Sequence, residues 1–353
     1  MKSFSRRKVL KGTGALALAG LAPTRVLSAA PPAEAITPAL IAAAKKEGKL
    51  VYYTSIDLAM AERIAKIFEA RFPGVGVRVE RSGAERIFQR IGQENSSRIA
   101  AVDVVNSSDA AHFIVWKRNG WLAPYVPEDV AKFYAAEHKD PDGQFAAFRL
   151  MLSVIGYNTN LVKPEDAPKS HADLLEAKWK GRMVKAHPSY SGTIMTATQQ
   201  LVRDLGWPYL EKLAQQNVMQ VQSAADTPKK IQLGERAVQA DGNEYNLLLL
   251  KEAGQPVEPV YAADGTPMIV GPNGVFKSAP NPNAARLFQA WSFTAECQQL
   301  IVDVAALRSL HPLAKEKPGR KPLKDIKTLK EDAVAVEKHS DEIKKRYSQL
   351  FKV

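Results

Sequence analysis

The residues best suited to chemistry are small and polar, and they sit where apolar runs end. Thr54-Ser55 follows KLVYY, Arg81-Ser82-Gly83 follows VGVRVE, and Asn106-Ser107-Ser108-Asp109 follows AVDVV. A fourth stretch, KAHPSYSGTIMTA at residues 185–197, runs through His187-Pro188 into Ser191-Gly192-Thr193 and then into residues that carry a helix. A strand that ends in such a turn leaves backbone N–H groups free at the next helix start, where negative charge is favoured. Ser, Gly and Thr are also ordinary helix caps, so each turn taken singly reads as a cap. Their recurrence carries the functional reading. Thr54, Ser55, Ser82, Ser108, Ser191 and Thr193 supply hydroxyls, Gly192 lets a ligand approach the backbone closely, and Arg81 offers a fork for carboxylate or phosphate.

Other chemistries find less support. There is no Gly-x-Ser-x-Gly nucleophile elbow, and the six histidines show no metal-ligand pairing at i, i+4. The single cysteine, Cys297, lies in the amphipathic stretch TAECQQLI, which predicts a packed thiol and excludes an internal disulfide. His112, beside Phe113, reads as a packed or capping residue, and Asp109 as a helix cap. Whether Asp109 or His187 touches a ligand stays open. Trp116, Trp121 and Trp291 read as packing residues. No catalytic residue and no cofactor is predicted, although an exported enzyme on the same scaffold remains the alternative.

These turns need a scaffold that gathers them. From Lys49 the chain reads strand (KLVYYTS), helix (from Leu58), strand (VGVRVERS), helix (GAERIFQRIGQE), strand (AVDVVNSS) and helix (DAAHFIVWKRNG). That βαβαβα order predicts a largely parallel sheet whose ligand binds beyond the carboxyl ends of its strands. After an extended apolar stretch at residues 148–160 a second series begins. It comprises GRMVKAHP as a strand, SGTIMTATQQLVRDL as a helix, VMQVQS as a strand, TPKKIQLGERAVQA as a helix, and NEYNLLLL as a strand, followed by PVEPVYA. PMIVGPNGVFK is extended, and NAARLFQAW and AECQQLIVDV are helices. The predicted fold is α/β: two doubly wound lobes joined by two crossing segments near residues 148–160 and 266–277. The first lobe spans 36–150 plus about 275–310. The second spans 151–274 plus about 311–353 with its C-terminal helices.

The N-terminus, MKSFSRRKVLKGTGALALAGLAPTRVLSAA, has the layout of an export signal over residues 1–30, with Arg6-Arg7 as a twin-arginine address. Its GTGALALAG run follows no strand and is not a phosphate loop. The whole chain carries +12; residues 1–30 hold six basic and no acidic residues, leaving +6 for the remainder. The tail from residue 315 holds twelve basic and seven acidic residues, so the body is nearly neutral. That removes the main support for nucleic-acid binding.

The order of turns, the stretch SVIGYNTN, AHPSYSGT and the segment DGTPMIVGPNGVFKSAPNPNAARLFQAW together resemble periplasmic solute-binding proteins of ABC importers. The nearest branch groups binders of ferric iron, 2-aminoethylphosphonate and sugar phosphates. The resemblance covers nearly the whole mature chain and implies the type II periplasmic binding fold. It also implies a periplasmic location, a monomer and an inner-membrane ABC permease as partner. Ferric binders of that branch use two adjacent tyrosines with a His and a carboxylate. The matching segment here, DGNEYNLLLL, offers Tyr245 followed by Asn246, and the Tyr52-Tyr53 pair lies within a strand whose side chains alternate between faces. The metal pattern is therefore broken. The expected ligand is a small phosphorylated, phosphonate or carboxylate anion, with Tyr245 as a phenolic donor; ferric ion held through Tyr245 is the alternative.

Overall fold

The computed structural model describes residues 30–353. Residues 1–29, and with them the expected export signal, lie outside the described residues. No described helix is long and apolar enough to cross a membrane.

The first series is α1 (Pro38–Glu47), β1 (Lys49–Thr54), α2 (Leu58–Arg71), β2 (Gly76–Arg81), α3 (Ala84–Ser96), β3 (Val104–Asn106) and α4 (Ala110–Arg118). After α5 (Glu128–Phe133) come β4 (Ala146–Leu152) and β5 (Ile155–Asn158). The second series is β6 (Met183–Ala186), α6 (Gly192–Leu205), α7 (Trp207–Ala214), β7 (Met219–Val221), α8 (Asp226–Gln232), β8 (Val238–Gln239), α9 (Glu244–Glu252) and β9 (Val257–Val260). The chain closes with β10 (Thr266–Val275), α10 (Pro282–Ser292), α11 (Ala295–Ala305), β11 (Thr328–Leu329) and α12 (Ala333–Phe351). Local chemistry sets many of these boundaries. Asp57, Asp109 and Asp332 cap α2, α4 and α12 by accepting from the backbone N–H two or three residues on.

Two sheets result, as the sequence predicts. The first has the order β11-β10-β3-β1-β2, with β4 also paired to β10; the second is β7-β6-β8-β5-β9. β1 pairs in parallel with β2 and β3, and β6 in parallel with β7 and β8. Each sheet also takes in one antiparallel strand that arrives from the other half: β10 beside β3, and β5 beside β8. The two halves thus repeat one topology, and their parallel strands bring every βα turn to one end of each sheet.

Strand alternation divides the first core. Tyr52 packs with Phe68, Phe288 and Trp291 on one face, while Tyr53 packs with Ile87, Phe113, Trp116 and Phe276 on the other. The second half buries Trp179, Met183, Leu210 and Val238.

Three expectations are corrected. NEYNLLLL forms helix α9, not a strand. Its leucines are divided between two cores, with Tyr245 and Leu248 in one and Leu247 and Leu250 in or against the other, so a continuous apolar run satisfies a helix buried on two sides. The helix expected over TPKKIQLGERAVQA ends at Gln232; Gly234 turns at φ 73°, and Val238–Gln239 enters the sheet centre as β8. The segment 266–277 is not a crossing but mostly β10 of the first sheet, which its neighbours β4 and β3 hold along its length. The chain passes between the sheets at Ser153-Val154 and again between Val260 and Thr266. The portion from 311 is likewise shared, since β11 pairs in the first sheet while α12 packs on both halves.

Candidate functional site

The turns at the ends of the two sheets face and touch one another. A Cβ on Gly83 would lie 2.6 Å from the Tyr190 carbonyl oxygen, and one on Gly192 would lie 2.7 Å from Asp109 Cβ and 2.9 Å from Ala84 Cβ. Arg81 Nη2 donates to Ser223 Oγ at 3.2 Å, and Arg86 Nη2 to Gln222 Oε1 at 2.5 Å. The Asp57 N–H at the start of α2 donates to the Tyr245 hydroxyl of α9 at 3.3 Å. The two halves are therefore closed on each other, and only glycine fits at two of the contacts.

At the floor of this cleft lies Arg149, in the middle of β4 and 1 % exposed. Its Nε donates to Asn106 Oδ1 at 3.1 Å and its Nη2 to Ser55 Oγ at 3.1 Å, while Nη1 points at the Met151 sulfur. Gly271 of β10 makes room for it, since a Cβ there would meet Arg149 Cγ at 2.9 Å. Arg81 reaches the same region and donates from Nε to the Ile56 carbonyl at 3.3 Å. All these partners are neutral, and no carboxylate pairs with either guanidinium among the described residues. Burial lowers the Arg149 pKa, Tyr245 and Tyr52 oppose that shift, and the charge of Arg81 adds to it. An arginine stays charged through such a shift, so the cleft floor holds concentrated positive charge that the protein leaves uncompensated.

Tyr245 completes this group from the second half. It is 2 % exposed. Burial pushes its hydroxyl pKa up, and the neighbouring Arg149 and Arg81 pull it back. Its position at the first turn of α9 is fixed by the preceding residue: both Glu244 oxygens take a fork of hydrogen bonds from Arg308 at 2.7 and 2.9 Å, fully buried.

The predicted residues fall into two sets. Ser55, Arg81 and Tyr245 gather around Arg149. Thr54 is next to them, but its hydroxyl serves the turn, accepting from the Ile56 N–H at 3.1 Å and bonding Asn106 Oδ1 at 3.5 Å. Ser82 donates its N–H to the Thr54 carbonyl. Ser108, Ser191, Gly192 and Thr193 lie instead in the seam between the halves. Ser191 caps α6 by accepting from the Ile194 N–H at 3.5 Å, and the space before Gly192 is filled by Ala84, Ser108 and Asp109 of the first half. The missing side chain of Gly192 thus makes room for the opposite lobe.

Sequence reasoning missed Arg149 and Asn106. The signal was a lone charge in AAFRLML, a strand buried at every position, where a charge requires a reason. His187 serves structure. Its Nδ1 accepts from the Ser189 N–H at 3.0 Å, its Nε2 meets Ser348 Oγ at 3.3 Å, and burial together with Lys185 lowers its pKa to about 4.

Glu85, Asp109 and His112 bring donor atoms within 4.8 Å of one another, as a metal site would. The charge there is already balanced. His112 Nε2 bonds Glu85 Oε1 at 3.1 Å, Lys344 Nζ bonds Glu85 Oε2 at 2.7 Å, and Ser107 Oγ takes His112 Nδ1 at 3.1 Å. Burial alone would raise the Glu85 carboxyl, but its bond to His112 and the charges of His112 and Lys344 hold it down at about 2. His112 is thus more than the packed or capping residue expected: it stacks on Phe88 at 4.5 Å and joins two carboxylates.

Residues 49–299 match the family of bacterial extracellular solute-binding proteins. A probable ABC transporter periplasmic-binding protein of Sinorhizobium fredii is 24 % identical over 246 residues, which is 67 % of each chain. The periplasmic binding protein AfuA of Actinobacillus pleuropneumoniae, solved with exogenous fructose-6-phosphate bound, superposes with a TM-score of 0.79 at 23 % identity over 87 % of this chain and 99 % of that one. Iron-bound HitA of Pseudomonas aeruginosa superposes with a TM-score of 0.72 at 22 % identity, over 85 % and 99 %. The family match takes in every strand of both sheets except β11 and every turn described above, and the chain belongs to the bacterial extracellular solute-binding proteins, with the type II periplasmic binding fold.

Proposed function

We propose that this protein captures a small anion, a phosphorylated, phosphonate or carboxylate compound, between its two lobes. It would hand that solute to an inner-membrane ABC permease, and it acts as a periplasmic monomer without catalysis. The observation that carries this reading is the pair Arg149 and Arg81, two guanidiniums at the cleft floor whose partners are all neutral. An unpaired buried cation costs stability, and an anionic ligand removes that cost on binding. Ser55, Asn106 and Tyr245 add hydroxyl and amide groups at the same place. The solved neighbour AfuA holds a phosphate ester within this fold, which fits the same chemistry.

Ferric ion is the second reading, favoured by the likeness to iron-bound HitA. Tyr245 would be its ligand, yet Tyr245 stands beside two guanidiniums that repel a trivalent cation. The transport role is supported by family membership, and export rests on the Arg6-Arg7 signal read from the sequence. The test is native mass spectrometry of the purified protein, followed by a thermal-shift screen of sugar phosphates, phosphonates, carboxylates and Fe(III). Stabilisation by anions alone is expected; stabilisation by Fe(III) with a coloured complex that Tyr245→Phe abolishes would overturn the anion reading.

A further inference from the structure

The C-terminal helix α12 lies across both lobes. Val336 and Ile343 form one apolar cluster with Ala111 of α4 in the first lobe and Met195 of α6 in the second. Its last turns are seated firmly in the second lobe. Arg346 bonds Glu211 at 2.9 Å and covers the Trp207 ring at 4.3 Å. Tyr347, fully buried, bonds Gln220 at 2.8 Å, and Leu350 and Phe351 pack on the second core. Two ion pairs reach back to the first lobe: Glu337 takes a bidentate pair of hydrogen bonds from Arg118, both 2.9 Å, and Lys344 bonds Glu85 at 2.7 Å.

These two pairs differ in weight. The Arg118–Glu337 pair is half exposed and contributes little. Lys344 is the cation that balances a buried group holding Glu85, Asp109 and His112, at the place where Asp109 and Ala84 press on Gly192. Because the aromatic seat in the second lobe is the larger, α12 travels with that lobe when the cleft opens. The contacts to the first lobe that must then break are the ion pairs of Lys344 and Glu337 and the packing of Val336 and Ile343 on Ala111.

We propose that α12 is a closure latch: Lys344 on Glu85, with Glu337 on Arg118 as the weaker second pair, makes ion pairs of the closed state that hold the lobes together and so set how readily a solute is retained. This does not depend on which solute the cleft takes, and the experiment uses none. Spin labels at Lys66→Cys and Lys180→Cys, exposed positions on opposite lobes, report the interlobe distance in solute-free protein; the native Cys297 is buried. Combining Lys344→Met with Glu337→Gln should lower the ratio of closed to open molecules about five- to tenfold, at the lower end of ordinary coupling energies. Arg346→Met, which breaks a contact internal to the second lobe, should leave the distances unchanged. The latch is refuted if the double variant keeps the wild-type distance distribution. It is refuted equally if Arg346→Met shifts the distribution as far, because α12 would then be a general brace.

Discussion

Replacing Arg149 by Met separates function from stability, because the two effects are expected to diverge. In the solute-free protein the change removes a buried cation, which relieves several kcal/mol of desolvation. It also removes two charge-assisted hydrogen bonds, to Asn106 and Ser55, of about 1.5–3 kcal/mol each. These terms nearly cancel, so the solute-free midpoint should stay within about 2 kcal/mol of wild type. Binding has no such compensation. Losing the guanidinium that faces a desolvated anion should cost about 2–4 kcal/mol, or roughly 30- to 1,000-fold in Kd. The assay is thermal shift with the best anion of the screen at about 100 times the wild-type Kd. There wild type gains about 2.7 kcal/mol, a rise of roughly 5–10 °C. A variant binding about 100-fold more weakly gains only about 0.4 kcal/mol, near 1 °C. If Arg149→Met keeps the full ligand-induced rise, Arg149 is not the anion's partner. If the solute-free protein loses more than about 4 kcal/mol, its role is structural.

Gly192→Ala places a methyl group 2.7 Å from Asp109 Cβ and 2.9 Å from Ala84 Cβ, atoms that rotamer changes cannot move. It should hold the lobes apart and weaken solute binding about tenfold or more; scattering should give a larger radius of gyration with saturating anion, and an unchanged radius would contradict the seam. His112 is opposed by burial, but Asp109 and Glu85 raise its pKa above the ordinary value, and Lys344 acts in the other direction. Its contribution is therefore fully present below about pH 6.5 and lost as pH rises through the raised value. The stability difference between wild type and His112→Gln should shrink from pH 6 to pH 9 in urea melts, and a constant or growing difference would exclude the ion cluster. Changing Arg6-Arg7 to Lys-Lys should stop export, read by cell fractionation; normal processing of the variant would dismiss the twin-arginine address.

Much of the fold was legible because the chain obeys simple periods. From Lys49 to Arg118, strands and helices alternate with their own spacing, and Asp57 and Asp109 mark helix starts. The second half was less clear. The leucines of α9 answer to two cores at once, and β8 has only two residues in its ladder, so neither shows a period of its own. The site was half visible. Ser55, Arg81 and Tyr245, which gather around Arg149, could be named from the sequence because strand-end turns and the family's tyrosine segment pointed to them. Arg149 was hidden in an apolar strand, and its meaning depends on Asn106, Ser55 and Tyr245, which lie up to 96 positions away.

The sequence by itself determined the doubled α/β architecture, the gathering of polar turns at the strand ends, and the lack of a tyrosine pair in the family's metal position. These follow from local periodicity and from residue types at single positions. Only the tertiary structure decided which turns gather around Arg149 and which pack against each other across the seam. The start of α6 faces Asp109 and Ala84 across the seam, while Arg149 and Arg81 lie near enough to feel each other's charge, and neither pairs with a carboxylate among the described residues. The physical reason is that a charge or a helix terminus is assigned by what is brought against it, and that partner comes from a distant part of the chain.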